Sequence, residues 1–256
     1  MAVCAPCGPC CTCSVPNVTY TASSTQNATG AWGWGVNGVG QLGDGTMSTR
    51  FLPANTGFAG AATWTSVVSG WQHTCALTAD TGVVCWGYNS HGQLGTGNTI
   101  NALVPTPING VTAGLEGWTM LGLGDYHTCG LKANGGIWCM GHNGQGALGT
   151  GGGDTSSPTE VADPGPFTFM TAARRYTCAT KAEGTAWCWG WNDRQVVGST
   201  PTGSLFAPTP VYWWSATGAP TVFFSIYASK GDSHFTCALD NSTQAYCWVR
   251  ILCRCR

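Results

Sequence analysis

Apolar and polar residues alternate along this chain in short runs, and the runs come back with a period near ~50 residues. His73-Thr74-Cys75-Ala76-Leu77 is one run; turn residues Ala79-Asp80-Thr81-Gly82 follow, then Val83-Val84-Cys85-Trp86. Folded as an antiparallel hairpin centred on Asp80, these runs set Leu77 opposite Val83 and Cys75 opposite Cys85. The same folding sets Leu131 opposite Ile137 and Thr180 opposite Ala186. A further strand precedes the hairpin in Trp64-Thr65-Ser66-Val67-Val68 and in Trp118-Thr119-Met120-Leu121. Three or four short strands per unit predict an all-β fold, a β-propeller of about four to five blades. A β-solenoid is the rival, but its coils are usually shorter.

Cysteines mark the same period. Cys75 and Cys85, Cys129 and Cys139, Cys178 and Cys188, and Cys237 and Cys247 are each ten positions apart, and the pairs start 54, 49 and 59 residues after one another. Opposed strand positions hold their Cβ atoms about 4.5–5.5 Å apart, near the roughly 3.5–4.5 Å that a disulfide needs. Four within-blade disulfides are therefore expected. A Gly-x-Asn follows each of the first three pairs, at Gly87-Tyr88-Asn89, Gly141-His142-Asn143 and Gly190-Trp191-Asn192, and a fourth copy, Gly35-Val36-Asn37, precedes them. Six residues beyond each Asn stands Gly43, Gly95, Gly149 or Gly198.

These residues resemble a known family. His73 to Leu77, Cys85-Trp86-Gly87-Tyr88-Asn89 and Gly92-Gln93-Leu94-Gly95-Thr96-Gly97 are similar to the repeat of the regulator of chromosome condensation family. Trp34-Gly35-Val36-Asn37 followed by Gly40-Gln41-Leu42-Gly43-Asp44-Gly45 is as close, and the resemblance runs over residues 31–249. It departs from the pattern at Gln195, at Ala147, and at the last unit, Cys247-Trp248-Val249-Arg250. The family's rings are usually seven-bladed. Paired cysteines resemble its extracellular members, such as plant receptor ectodomains of the crinkly type, so a nuclear exchange role is not implied. The expected division is a Cys- and Ser/Thr-rich segment at 1–30, propeller repeats at 31–249 and a Cys/Arg tail at 250–256.

Composition narrows the setting. The chain has 256 residues, with 8% charged and a net charge of −1. That balance excludes the basic face of a nucleic-acid binder and a polybasic membrane-surface segment. Fifteen cysteines fit an oxidising, extracellular setting better than a reducing cytosol. Residues 1–14 carry five cysteines and no apolar run, so no typical leader is visible and the start is expected to be processed or incomplete. The uncharged stretch from Val211 to Ala228 is broken by Gly218 and Pro220 and is expected to form strands around a loop, without a membrane span.

Candidate chemistry is sparse. The Gly-Gln-Leu-Gly segments lack the Lys before Ser or Thr that a phosphate loop requires. They read as tight connections, with the Asn bonding its own backbone. Trp34, Trp86, Trp189 and Trp248 are expected between blades. His73 and His127 share one repeat position, but Tyr176 takes it next and His234-Phe235 follows, so a structural role is favoured over zinc. No catalytic group, cofactor site or metal ligand is assigned. Cys4, Cys7, Cys10, Cys11 and Cys13, with Cys253 and Cys255, resemble a metal knuckle but are read as terminal or intermolecular disulfide partners. Sequons at Asn17, Asn27 and Asn241 are expected to carry glycans. Asp154 to Thr159 and Ser199 to Thr202 read as polar loops open to O-linked sugars. Two functions remain: a non-enzymatic secreted subunit that self-associates into a fibre, wall or appendage, and a recognition module presenting loops to a protein or glycan. Low charge and the odd cysteine favour the first.

Overall fold

The computed structural model describes residues 18–21, 31–56, 63–79, 82–109, 117–163, 165–198, 202–211, 222–230 and 235–248. These form strands and turns, without a helix among the described residues. The first sheet holds β1 (Val18–Thr21), β2 (Trp32–Gly35) and β3 (Arg50–Asn55). The second holds β4 (Trp64–Ser69), β5 (His73–Thr78), β6 (Val83–Gly87) and β7 (Ala102–Pro107). The third holds β8 (Trp118–Leu123), β9 (His127–Lys132), β10 (Ile137–Gly141) and β11 (Thr155–Glu160). The fourth holds β12 (Phe167–Ala172), β13 (Tyr176–Lys181), β14 (Ala186–Gly190) and β15 (Leu205–Pro210). The fifth holds β16 (Phe223–Ala228), β17 (Thr236–Asp240) and β18 (Ala245–Trp248).

Each sheet is an antiparallel meander and packs on the next through the inner strands. β8 lies against β4 and β5, β12 against β8 and β9, and β16 against β12 and β13. The inner ends come together around one axis: the Lys230 ammonium, just past β16, donates to the Ser69 carbonyl at the end of β4 (3.2 Å). Registers match the hairpin reading, with Leu77 opposite Val83, Leu131 opposite Ile137 and Thr180 opposite Ala186. Each ten-residue cysteine pair is also directly opposed and joined, with Cα atoms 4.0–4.1 Å apart. Asp80 lies outside the described residues.

The core forms where one sheet's turn presses on the next sheet's third strand. A Cβ on Gly43 would meet Trp86 Nε1 at 2.7 Å, and one on Gly149 would meet Trp189 Nε1 at 2.7 Å. Only a glycine lets these turns sit on the indoles. Gly40, Gly92 and Gly146, which open the turns, have φ near 80°, and Gln195 takes the same place at φ 54°. A non-glycine residue there costs about 1 kcal/mol. Trp86 and Trp189 are fully buried, and Trp248 nearly so. Trp34 is only half-buried, which corrects its expected place in the inter-blade core: among the described residues no earlier sheet supplies a turn to cover it.

β1, inside the 1–30 lead-in, pairs with β2 from Val18–Gly35 to Thr21–Trp32. By that register Tyr20 and Gly33 stand where the other sheets have their cysteine pair, so the spacing signal is missing. Asp154 to Thr159 is not a polar loop, since Thr155–Glu160 is the outer strand β11. Pro158 cannot donate to a ladder, and an edge strand tolerates that. From the uncharged 211–228 stretch, Phe223–Ala228 is a strand. No helix among the described residues is long and apolar enough to cross a membrane.

Candidate recognition face

The motif residues shared by the repeats are used up in holding the scaffold. Asn37, Asn89, Asn143 and Asn192 are buried, and their side-chain oxygens accept the N–H of Leu42, Leu94, Leu148 and Val197 at 2.9–3.0 Å. Each closes its own turn, Gly-Gln-Leu-Gly in the first two sheets, Gly-Ala-Leu-Gly in the third and Gln-Val-Val-Gly in the fourth. The first carbonyl after the turn's opening residue then accepts a hydroxyl from the next sheet. Thr74 donates to Gln41 O, Thr128 to Gln93 O, Thr177 to Ala147 O and Thr236 to Val196 O, at 2.7–3.0 Å. Because the backbone is the acceptor, Ala147 serves as well as Gln. Trp86 Nε1 and Trp248 Nε1 donate to the same carbonyls as Thr74 and Thr236, at 3.0 and 2.9 Å.

His73 and His127 belong to this scaffold. His73 Nε2 lies 2.9 Å from Thr128 Oγ1, and His127 Nε2 lies 3.0 Å from Thr177 Oγ1. Each threonine proton is committed to a carbonyl, so the imidazole donates and its Nε2 carries hydrogen. Burial pushes both pKa values down to about 3, leaving the rings neutral. Tyr176 fills the slot in the fourth sheet; its hydroxyl donates to Phe235 O (2.9 Å) and sits 3.1 Å from Thr236 Oγ1. Burial raises that phenol to about 12. A position that accepts His, His and Tyr for one bonding task is a structural position.

Other repeat positions share a backbone site but not a chemistry. The x of Gly-x-Asn is Tyr88, His142 and Trp191; the corner before the second strand is Trp71-Gln72, Asp125-Tyr126 and Arg174-Arg175. These side chains form one face across the second, third and fourth sheets. Trp71 packs edge-on against Tyr126 (centroids 5.3 Å apart), which also meets His91 (5.2 Å) and Tyr88 (6.3 Å). His91 and His142 are 4.7 Å apart, edge to face. Arg174 Nε pairs with Asp125 at 2.9 Å, tying the neighbouring corners together. Trp71 is 41% exposed, and Tyr88, His91, Tyr126 and His142 are half-buried.

The histidine end of this face has a carboxylate. His91 Nδ1 lies 3.2 Å from Asp154 Oδ2, and Asp154 Oδ1 accepts the Asn143 N–H at 2.7 Å. Burial lowers the His142 pKa despite the Asp154 charge, so its ring is neutral near pH 7. One ligand atom from each of His91, His142 and Asp154 lies within 4.8 Å of the others. The sequence reading missed all three, together with Trp71, Tyr88 and Tyr126. His91, His142 and Asp154 come from three different repeat positions, so spacing gives no sign that they meet. The usable signal was variation between repeats at fixed scaffold positions.

Of the glycan expectations, Asn241 is exposed on the β17–β18 turn, where Asp240 Oδ1 accepts from Ser242 N and Gln244 N. Asn17, Asn27, the N-terminal cysteines 4–13 and Cys253 and Cys255 lie outside the described residues.

Five successive antiparallel sheets around an axis, four of them stapled across the second and third strands, define a disulfide-stapled β-propeller. Two profiles, both described as Regulator of chromosome condensation (RCC1) repeat, match the chain, one at residues 30–77 and 82–131 and the other at 64–93 and 121–147. Residues 30–147 thus match RCC1-type repeats. It is 30% identical to the ultraviolet-B receptor UVR8 of Arabidopsis thaliana over 146 residues, 57% of this chain and 32% of the receptor. Yeast RCC1 (Prp20), solved bound to Kap60, superposes with TM-score 0.73 at 18% identity, over 88% of this chain and 53% of that one. The ectodomain of the Physcomitrella patens receptor kinase CR4 gives 0.55 at 18%, over 91% and 53%. The chain thus spans about a third of the receptor and half of these propellers.

Proposed function

We propose that this protein is a non-enzymatic, secreted recognition propeller that binds a protein partner through the Trp71–Tyr88–Tyr126 face. The single observation behind this reading is that residues differ between repeats where they meet on this face, while the positions that hold the sheets together stay alike. Fixed scaffold with variable corners is how binding sites are commonly placed on repeat and loop architectures. A partly exposed aromatic cluster beside an Arg–Asp pair suits a protein partner, because aromatic and Arg side chains dominate interface energies. Yeast Prp20, of the same fold, is described bound to Kap60 and in its binding to Gsp1p and histones. Secretion rests on the four cysteine pairs and the exposed Asn241 sequon.

The rival reading, a subunit of an extracellular assembly, draws on one observation. Among the described residues, the two end sheets leave surface uncovered: Trp34 is half-buried and Cys247 exposed. In that reading the cysteines at 4–13 and 253–255 form intermolecular bonds. One experiment separates the two. Oxidised protein is sized in solution, then immobilised beside a Trp71→Ala/Tyr126→Ala variant and challenged with a secreted-protein panel and a glycan array. The recognition reading expects a monodisperse subunit and a protein ligand whose affinity falls at least tenfold in the variant. Equal binding by both proteins, or binding to glycans alone, overturns it. Large particles that disappear when residues 1–13 are deleted replace it with the assembly reading.

A further inference from the structure

We infer that His91, His142 and Asp154 form a binding site for a divalent transition-metal ion, zinc by ligand chemistry, that clips the second sheet to the third. His91 follows β6; His142 and Asp154 flank the turn between β10 and β11. The three ligand atoms already gather within 4.8 Å. A tetrahedral zinc with bonds of about 2.0–2.1 Å holds its ligands roughly 3.3 Å apart. The His91 Nδ1–Asp154 Oδ2 separation of 3.2 Å meets that spacing, so His142 has the remaining distance to close.

The surroundings prepare this arrangement. Asp154 is oriented by the Asn143 N–H at 2.7 Å, the kind of outer-shell bond that aims a metal-binding carboxylate. The His91 main chain is held by its backbone N–H, which donates to the Gln93 side-chain oxygen at 3.0 Å. A Cβ on residue 144 would meet His142 Cε1 at 2.7 Å, so Gly144 leaves that ring its place. Gly151, Gly152 and Gly153, just before Asp154, have no atom within 4 Å of an added Cβ. The carboxylate therefore follows an uncrowded segment. Two imidazoles and one carboxylate suit zinc and similar transition ions, whereas calcium and magnesium prefer all-oxygen shells. A fourth position stays open to water or to a partner's side chain. The inference does not rest on the protein-partner reading, because metal binding is measured with this chain alone.

The test uses the full-length oxidised protein and Zn²⁺ or Co²⁺ alone. Calorimetry should find one equivalent of Zn²⁺ bound at this site, with affinity reduced tenfold or more in His91→Ala and in Asp154→Asn. Both side chains are partly exposed, so neither variant is expected to unfold; matching far-ultraviolet spectra check this. Co²⁺ should give a visible ligand-field spectrum without thiolate charge transfer, which separates this site from the terminal cysteines. His73→Tyr, a change at a scaffold position, should leave both signals intact. Zinc binding that is unchanged in both ligand variants, a Co²⁺ spectrum dominated by thiolate bands, or no binding at free Zn²⁺ of about 100 µM, a limit set well above typical functional affinities, overturns the inference.

Discussion

The inner sheets and the end sheets are built from the same repeat but reach different degrees of closure. In the second, third and fourth sheets every strand position is filled, and Cys75, Cys85, Cys129, Cys139, Cys178 and Cys188 are all 0% exposed. In the fifth, the equivalent Cys237 is half-buried and Cys247 exposed. The staple of one sheet is covered by the sheet after it: Cys129 Sγ lies 3.8 Å from Thr177 Oγ1. The indole of one sheet is covered by the turn before it, as Gly43 covers Trp86. A sheet with no described neighbour on one side therefore loses a different half of its core at each end. Burial in this fold is a property of sheet pairs more than of single sheets, and tests of stability should read that directly.

The largest difference is expected at the tryptophans. Trp86→Ala should cost about 3–5 kcal/mol, the range for emptying a buried aromatic site. Trp34→Ala, at the half-buried equivalent, should cost well under half as much. Urea unfolding of both variants measures this, and equal costs would break the distinction between inner and end sheets.

The staples come next. Cys129→Ser/Cys139→Ser should destabilise by about 2–3 kcal/mol, from the short loop that the bond closes. Under mild reduction without denaturant, the Cys237–Cys247 pair should open first, because an attacking thiolate reaches only an exposed sulfur. Time-resolved alkylation with peptide mapping gives the order. Release of an inner pair first would contradict the burial argument.

The smallest effect is set by pH. His73 and His127 are held near pKa 3 when folded, against about 6.5 in an unfolded chain. Below pH 6.5 the unfolded chain takes up protons that the folded rings refuse, so stability falls as pH drops from about 6.5 toward 3. At pH 5.5 the loss should be about 1 kcal/mol per histidine. His127 and Lys230 face His73, and His142 faces His127; each of these charges, when present, deepens the penalty. Melting curves at stepped pH should flatten over this window in His73→Tyr/His127→Tyr, which copies the native Tyr176 slot.

Legibility in the sequence followed the same division. A spacing of ten with a turn between is a complete geometric statement, so the inner hairpins and the opposition of Cys75 and Cys85 could be written down from it. β1 could not, because Tyr20 and Gly33 replace the cysteines and the strand lies in a Ser/Thr-rich run. The outer strands escaped as well: Ser157-Pro158-Thr159 reads as part of a polar loop, and Val104-Pro105-Thr106 and Ala207-Pro208-Thr209 carry the same central proline, which signals a break unless the strand is known to be an edge. The candidate face was least legible. Tyr126, His91 and His142 meet only because two sheets pack side by side, and no single repeat contains that contact.

The threonine-to-carbonyl bonds between sheets carry one more consequence. Each joins nearest neighbours through backbone acceptors that any residue supplies, as Ala147 and Val196 show in place of Gln. A gene that duplicated or lost one such unit would encode a chain in which every remaining junction is of a kind already present. Length is therefore free to drift by whole blades, while the residues that differ between units, at the corners and at the x of Gly-x-Asn, are what each new copy can diversify.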